Sequence, residues 1–411
     1  MGQYRSFRPA VYFCFHRQGK TDQPLGGCLI FNPVYHLSDF IDRIIKDRHV
    51  FYTVMKTPIV YLLFMIVLYL SCSPRPQSPA DIHTDLSNNK ILQLSELFDR
   101  IRYIPLETPD TALIANVQSV TYHNGRYYLI AENTLYVFNR HGQYLSQHNN
   151  RGRGANEYSS IFKVKSSIGD SVIYVSGDNG KGHIVMAYDK NGNYLKTLIQ
   201  NRSFNMEFNV LENGIIISDG RTVSLYDKQG KLENEIRISP FDSISFGTSN
   251  YLSDFSSQEV IFSCPGCDTL YFLGKSGITR KISLDYGHNQ SPEQFKKSLS
   301  KPITFPYFHN FISLGKTVLD LIVIGQKQYM IQLDLTHRTA TVCDTLVNDI
   351  DHTIPYLPRE MVQNQGLMVL PAPVFFHFIQ PEQLAAIPAL RNLTEDANPV
   401  IVVLNLKSSS L

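Results

Sequence analysis

The chain has 411 residues, 43% of them hydrophobic and 18% charged, ordinary globular values that exclude long intrinsic disorder. The 38 Lys and Arg face 36 Asp and Glu, a formal net charge of +2 with no basic run, so no nucleic-acid partner is expected. Length alone, at roughly 150 residues per domain, suggests two or three domains, although all-β folds often run longer as one unit.

Met55-Lys56 opens a short basic segment, followed by an apolar run of 12 residues from Ile59 to Leu70. A spanning helix needs about 20 residues and a secretory core about 7–15, so the run fits a signal peptide. It ends in Ser71-Cys72, which looks like the lipobox of a bacterial lipoprotein, with Tyr69 where that motif prefers Leu. Cys72 is then the lipid-attachment residue; the plainer reading is a buried helix with an incidental cysteine. Residues 1–54 carry no periodicity and are read as a non-native extension, with translation starting at Met55. The alternative is a cytoplasmic tail whose seven Lys and Arg satisfy the positive-inside rule. Residues 55–72 form the signal segment. Residues 73–90 form a tether that opens with three prolines in Ser73-Pro-Arg-Pro-Gln-Ser-Pro-Ala80.

The body, residues 91–407, carries a repeat. Thr134-Leu-Tyr-Val-Phe-Asn-Arg-His-Gly142 aligns without gaps to segments ending in Gly192, Gly230 and Gly277, which stand 50, 38 and 47 residues apart. A fainter copy, Tyr329-Met-Ile-Gln-Leu-Asp-Leu-Thr-His337, has His at the glycine position. Each copy reads as a strand, a type I turn and a residue at positive φ, which glycine adopts without a Cβ clash. Asp189-Lys-Asn-Gly-Asn193 also opens like a calcium loop, but the closing Glu is missing. A period of 40–50 residues with several strands per unit predicts a β-propeller.

The fold class is therefore all-β: a six-bladed β-propeller of four-stranded antiparallel blades. Blades are placed near 119–158, 159–205, 206–243, 247–288, 305–345 and 346–407. The strand from Ile101 to Leu106 has no hairpin and is expected to close the ring against the last blade. Short helices are predicted at Ser95–Arg100, from Ser291, and at Pro381–Ile387.

Three segments resemble the six-bladed propeller lipoproteins of Bacteroidetes, a group similar in shape to NHL-repeat propellers. They are Phe98-Asp-Arg-Ile-Arg-Tyr-Ile-Pro-Leu-Glu-Thr108, Arg151-Gly-Arg-Gly-Ala-Asn-Glu-Tyr158 and Thr394-Glu-Asp-Ala-Asn-Pro-Val-Ile401. The middle one departs from that family's inter-blade turn, with Ala155-Asn156 in place of Pro-Gly. The resemblance implies the fold and an envelope location, and little about molecular function. Surface lipoproteins of that phylum commonly carry an acidic run after the lipid cysteine. Its absence here favours a periplasm-facing anchor over the cell surface.

Candidate chemistry is sparse. Cys264-Pro-Gly-Cys267 lies between two strand-like runs, so the helix that would activate a redox pair is missing. A disulfide across the turn is the first reading, free thiols the second, and redox or metal chemistry the third. Arg151 and Arg153 could hold an anion with open backbone amides, although no helix start follows; an inter-blade connection is the plainer reading. The 13 His never pair at metal-ligand spacing, and neither a nucleophile elbow nor a zincin motif occurs. No catalytic residue, metal site or cofactor is expected. The sequence predicts a non-enzymatic, lipid-anchored propeller whose partners are the membrane and an unidentified ligand or envelope protein. The rivals are an enzyme with a central-channel site acting on glycans or peptides, and a structural subunit of an envelope complex. A glycan binder would show an aromatic platform, to which Tyr356 could contribute.

Overall fold

The computed structural model describes residues 80–408, except 88, 155, 168, 204–205, 239–251, 264–267, 288–308 and 325–326. The proposed leader, Cys72, the Cys264/Cys267 pair and the helix expected from Ser291 lie outside the described residues. Five four-stranded antiparallel sheets follow in chain order: Val117–His148, Ser160–Asn201, Glu207–Arg237, Leu252–Asp285 and His309–Val347. They are blades 1 to 5. Blade 6 combines Glu360–Val362, Gln365–Leu370 and Val400–Leu406 with the early strand β3 (Phe98–Pro105). The first strands of successive blades contact one another round the whole ring, blade 6 back to blade 1 included, so they are the innermost strands.

The middle two strands of each blade are mostly apolar because both of their faces are buried. Side chains alternate along a strand, and neighbours in sequence therefore enter different cores. Tyr127 and Leu129 pack toward blade 6, while Tyr128 and Ile130 pack toward blade 2. Ile215 and Ile217 face blade 2, and Ile216 faces blade 4. Six such inter-blade cores, one per seam, hold the ring. A seventh packs the helices α2 (Ala372–Phe378) and α3 (Pro381–Ala386) against blade 6.

Closure follows the expected route. β3 pairs antiparallel with the last strand, from Pro105 opposite Val400 to Phe98 opposite Leu406. Asn398 locks the junction. Its Oδ1 accepts from the Ile114 amide at 2.7 Å, and its Nδ2 donates to the Glu107 and Ala112 carbonyls at 2.7 Å each. Two of the three resemblance segments are thus the two halves of one seam. The short helix before β3, α1 (Leu94–Leu97), is displaced slightly from the expected Ser95–Arg100 because the closing strand begins already at Phe98. Two further strands extend neighbouring blades. β1 (Ile82–His83) pairs parallel with the outer strand of blade 4, and β2 (Asn89–Gln93) does the same on blade 5. Residues 81–105 therefore run as a belt over blades 4, 5 and 6.

The repeat glycines mark the turn between the third and fourth strands of blades 1 to 4. Gly230 has φ +88, and a Cβ there would lie 2.1 Å from the Leu198 carbonyl oxygen of the preceding blade. Its role is close packing between blades as well as turn geometry. In blade 5, where His337 replaces glycine, the strand register runs without the bulge found in blades 1 to 4, and Arg338 takes the positive φ instead, at 56°. The Asx cap is common to four of these turns: Asn139, Asp189, Asp227 and Asp334 each accept two backbone amides of their own turn.

Candidate ligand-binding cavity

Each inner strand runs toward the same face, where a short turn leads to the second strand. At that face a cavity of about 620 Å³ opens into the ring, within the range typical of small-ligand sites. Every blade contributes the end of its inner strand or the turn after it, among them Tyr122, Lys165, Glu212, Asp254, Lys316 and Asn364.

The floor is ionic. Lys165 Nζ lies 2.6 Å from Asp254 Oδ2 and 2.5 Å from Glu360 Oε2, joining blades 2, 4 and 6. Beneath it Lys163 Nζ reaches Glu207 Oε2 at 3.0 Å. The far side of this group borders a pocket of only about 20 Å³, lined in part by Lys163, Arg359 and Glu360, near the room one water needs. Lys165 is 5% exposed. Burial pushes its ammonium toward the neutral form, but Asp254 and Glu360 outweigh that and raise its pKa. Lys163 is raised in the same way against burial, by Glu207 and Glu360.

The walls divide into two. On the blade 1–4 side most polar groups have partners. Thr121 and Ser166 share a hydrogen bond at 3.2 Å across the blade 1–2 seam, and Ser167 Oγ donates to the Leu211 carbonyl at 3.2 Å. His123 Nε2 meets the Asp170 carbonyl at 2.8 Å. Lys228 Nζ pairs with Asp170 Oδ2 at 2.5 Å; burial, stronger than this partner, lowers its pKa. Arg280 stacks on the buried Phe272 at 3.7 Å and on Phe255, which lines the cavity, at 4.9 Å. On the blade 5–6 side, Ser313 Oγ is buried without a partner, and the side chains of Lys316, Gln363 and Asn364 make no hydrogen bond or ion pair among the described residues.

The family model for a domain of unknown function, DUF4934, matches residues 79–405. The chain belongs to that family. No curated protein matches this DUF4934 chain. Among solved structures it is similar to a candidate exported protein from Bacteroides fragilis, at 14% identity and a TM-score of 0.57, covering 78% of this chain and 100% of that one. At that identity the likeness shows the fold. A DUF4221 member from Bacteroides vulgatus aligns at 11% identity and a TM-score of 0.44, over 76% of this chain and 97% of that one. Virginiamycin B lyase from Staphylococcus aureus aligns at 12% and 0.39, over 62% and 76%. Neither of these two carries weight for function.

In the DUF4934 fold, Arg151 and Arg153 sit in the connection from blade 1 to blade 2, at the start of the inner strand Ser160–Ser166 whose other end lines the cavity. At about 3.3 Å per residue they are on the opposite face, roughly 20 Å away. Both are exposed. The turn is held from within: buried Tyr158 donates to the Asn133 carbonyl at 2.8 Å and accepts the Asn150 amide at 3.0 Å. Glu157 Oε2 accepts the Gly154 amide at 2.6 Å, occupying part of the amide nest itself. Tyr356 corrects an expectation. It is 4% exposed, packed in the core with Phe375 and Leu390, and offers no platform. The cysteine within the described residues, Cys343, is buried, and burial raises its thiol pKa. No group of three or more metal-ligating side chains occurs among the described residues. The cavity residues were not singled out by sequence, because the Lys165 partners lie 89 and 195 residues away.

Proposed function

We propose that this chain is an extracytoplasmic, non-enzymatic binding protein, held to a membrane at Cys72 and taking a ligand into the cavity at the mouth of its channel. The observation that carries the reading is the cavity itself: the ring presents about 620 Å³ of space with uncommitted polar side chains on one wall. Rigid scaffolds with variable turns suit recognition. At the mouth His123 is bonded to a backbone carbonyl and the Asp254 carboxylate to Lys165, while the Ser257 hydroxyl meets Glu212 only at a long 3.4 Å. This supports binding over catalysis. The signal-like run before Cys72 and the exported relative support the envelope location, and the missing acidic run supports the periplasmic side.

The test is a thermal-shift screen of sugars, peptides and metabolites on the wild-type body and on Ser257→Trp, which places a bulky ring at the cavity rim. Stabilisation by a ligand that the variant loses supports the reading. Ligands that stabilise both proteins equally would place binding elsewhere and remove it.

A further inference from the structure

We propose that the cavity recognises a carboxylate-bearing ligand, with the carboxylate held on the blade 5–6 wall by Ser313, Lys316, Gln363 and Asn364. This rests on the reading of the cavity as the binding site and adds the chemistry of what enters it.

The negative groups of the site already have internal counterparts. Asp254 and Glu360 share Lys165, and Asp170, which does not line the cavity, holds Lys228. Glu212 receives Ser257 Oγ at 3.4 Å, and its charge also acts on Lys228. The unanswered groups are one cation, Lys316, and three neutral side chains that can each donate: Ser313, Gln363 and Asn364. Lys316 is exposed and is the charged side chain lining the cavity that has no partner among the described residues. It brings three N–H donors, and the two amides bring two each. Ser313 is the second, independent sign. It is 3% exposed, lines the cavity, and its Oγ has no partner among the described residues. A buried hydroxyl left unpaired is costly in the empty site, and a ligand oxygen would satisfy it.

The turn geometry places these groups together. Gly315-Lys316 and Gln363-Asn364 are the two-residue turns after the inner strands of blades 5 and 6. Gln363 holds φ 56, the left-handed conformation that a two-residue hairpin turn requires. One cation with neutral donors suits a monoanion of two oxygens; a phosphate dianion calls for more positive charge. A sugar acid and a peptide C-terminus share this chemistry.

Calorimetric titration at low ionic strength separates the sources. The probes are galacturonate beside galactose, alanylalanine beside its C-terminal amide, and inorganic phosphate. At least one acid should bind ten-fold or more tighter than its neutral partner. Lys316→Met should weaken it ten-fold or more with the melting temperature unchanged, and Lys316→Arg should restore part of the affinity. The proposal falls if neutral and acidic partners bind alike, if Lys316→Met binds as wild type, or if phosphate binds and neither acid does. It also falls if no acid binds. A neutral ligand lost in Ser257→Trp would overturn the carboxylate while leaving the cavity as the binding site.

Discussion

At the floor of the cavity Lys165 lies between two carboxylates and is buried; on the blade 5–6 wall Lys316 is exposed and has no partner among the described residues. The same side chain thus does two different jobs a short distance apart. A charge removed from water must be paired, and once paired it ties blades 2, 4 and 6 together. A charge at the rim keeps its hydration and remains available. The contrast separates what the ring needs to stay closed from what it can offer to a ligand.

The largest effect should come from breaking the floor. Lys165→Met leaves the half-buried Asp254 and Glu360 facing each other without their shared cation, and should cost about 3 kcal/mol in denaturant unfolding. A loss under about 1 kcal/mol would show that solvent reaches the floor. Next comes an unanswered group in a dry place. His183 is fully buried between blades 2 and 3, both ring nitrogens lack hydrogen-bond partners among the described residues, and burial lowers its pKa to about 4. Asp178 Oδ1, at 3.8 Å, is too far to hydrogen-bond. The folded protein keeps His183 neutral while the unfolded chain takes up a proton below about pH 6.5. Stability should therefore fall as pH drops from about 6.5 to 4, by roughly 3 kcal/mol from this group. Asp178, whose pKa burial raises, acts in the opposite direction over the acid end of that range. Urea midpoints at pH 7 and pH 5 should differ more for wild type than for His183→Leu; equal differences would contradict the assignment. Asn398→Ala strips the closing seam of three hydrogen bonds and should cost about 2–3 kcal/mol, read as a lower urea midpoint. The smallest effect belongs to the wall: Lys316→Met should leave the melting temperature where it was, and a clear fall would mean that the rim lysine is structural.

Much of the ring was legible because each blade repeats a local signal. The glycines at 142, 192, 230 and 277 mark a turn whose chemistry is contained in nine residues, and the apolar runs beside them need no distant partner to be read as strands. Closure was legible for the opposite reason: the Ile101–Leu106 run had no hairpin to join. β1 and β2 were not, since Ile82–His83 and Asn89–Gln93 are short and pair with strands about 200 and 250 residues away. Helix α2 was hidden by Pro371 and Pro373, which read as breakers but sit at its start, where no amide is needed. The cavity was invisible because Lys165, Asp254 and Glu360 meet only when three blades close. Its one retrospective signal is positional: charged or polar residues at or just after the ends of the inner strands. Arg151 and Arg153 drew notice by sequence motif, yet they lie on the face away from the cavity.

The most direct test of the account is hydrogen exchange with a screened ligand bound to the intact body. Protection should rise in the turns at 313–316 and 361–364, on the mouth of the channel, and stay unchanged at 149–158. Protection confined to the 149–158 turn, or to the outer strands, would contradict it.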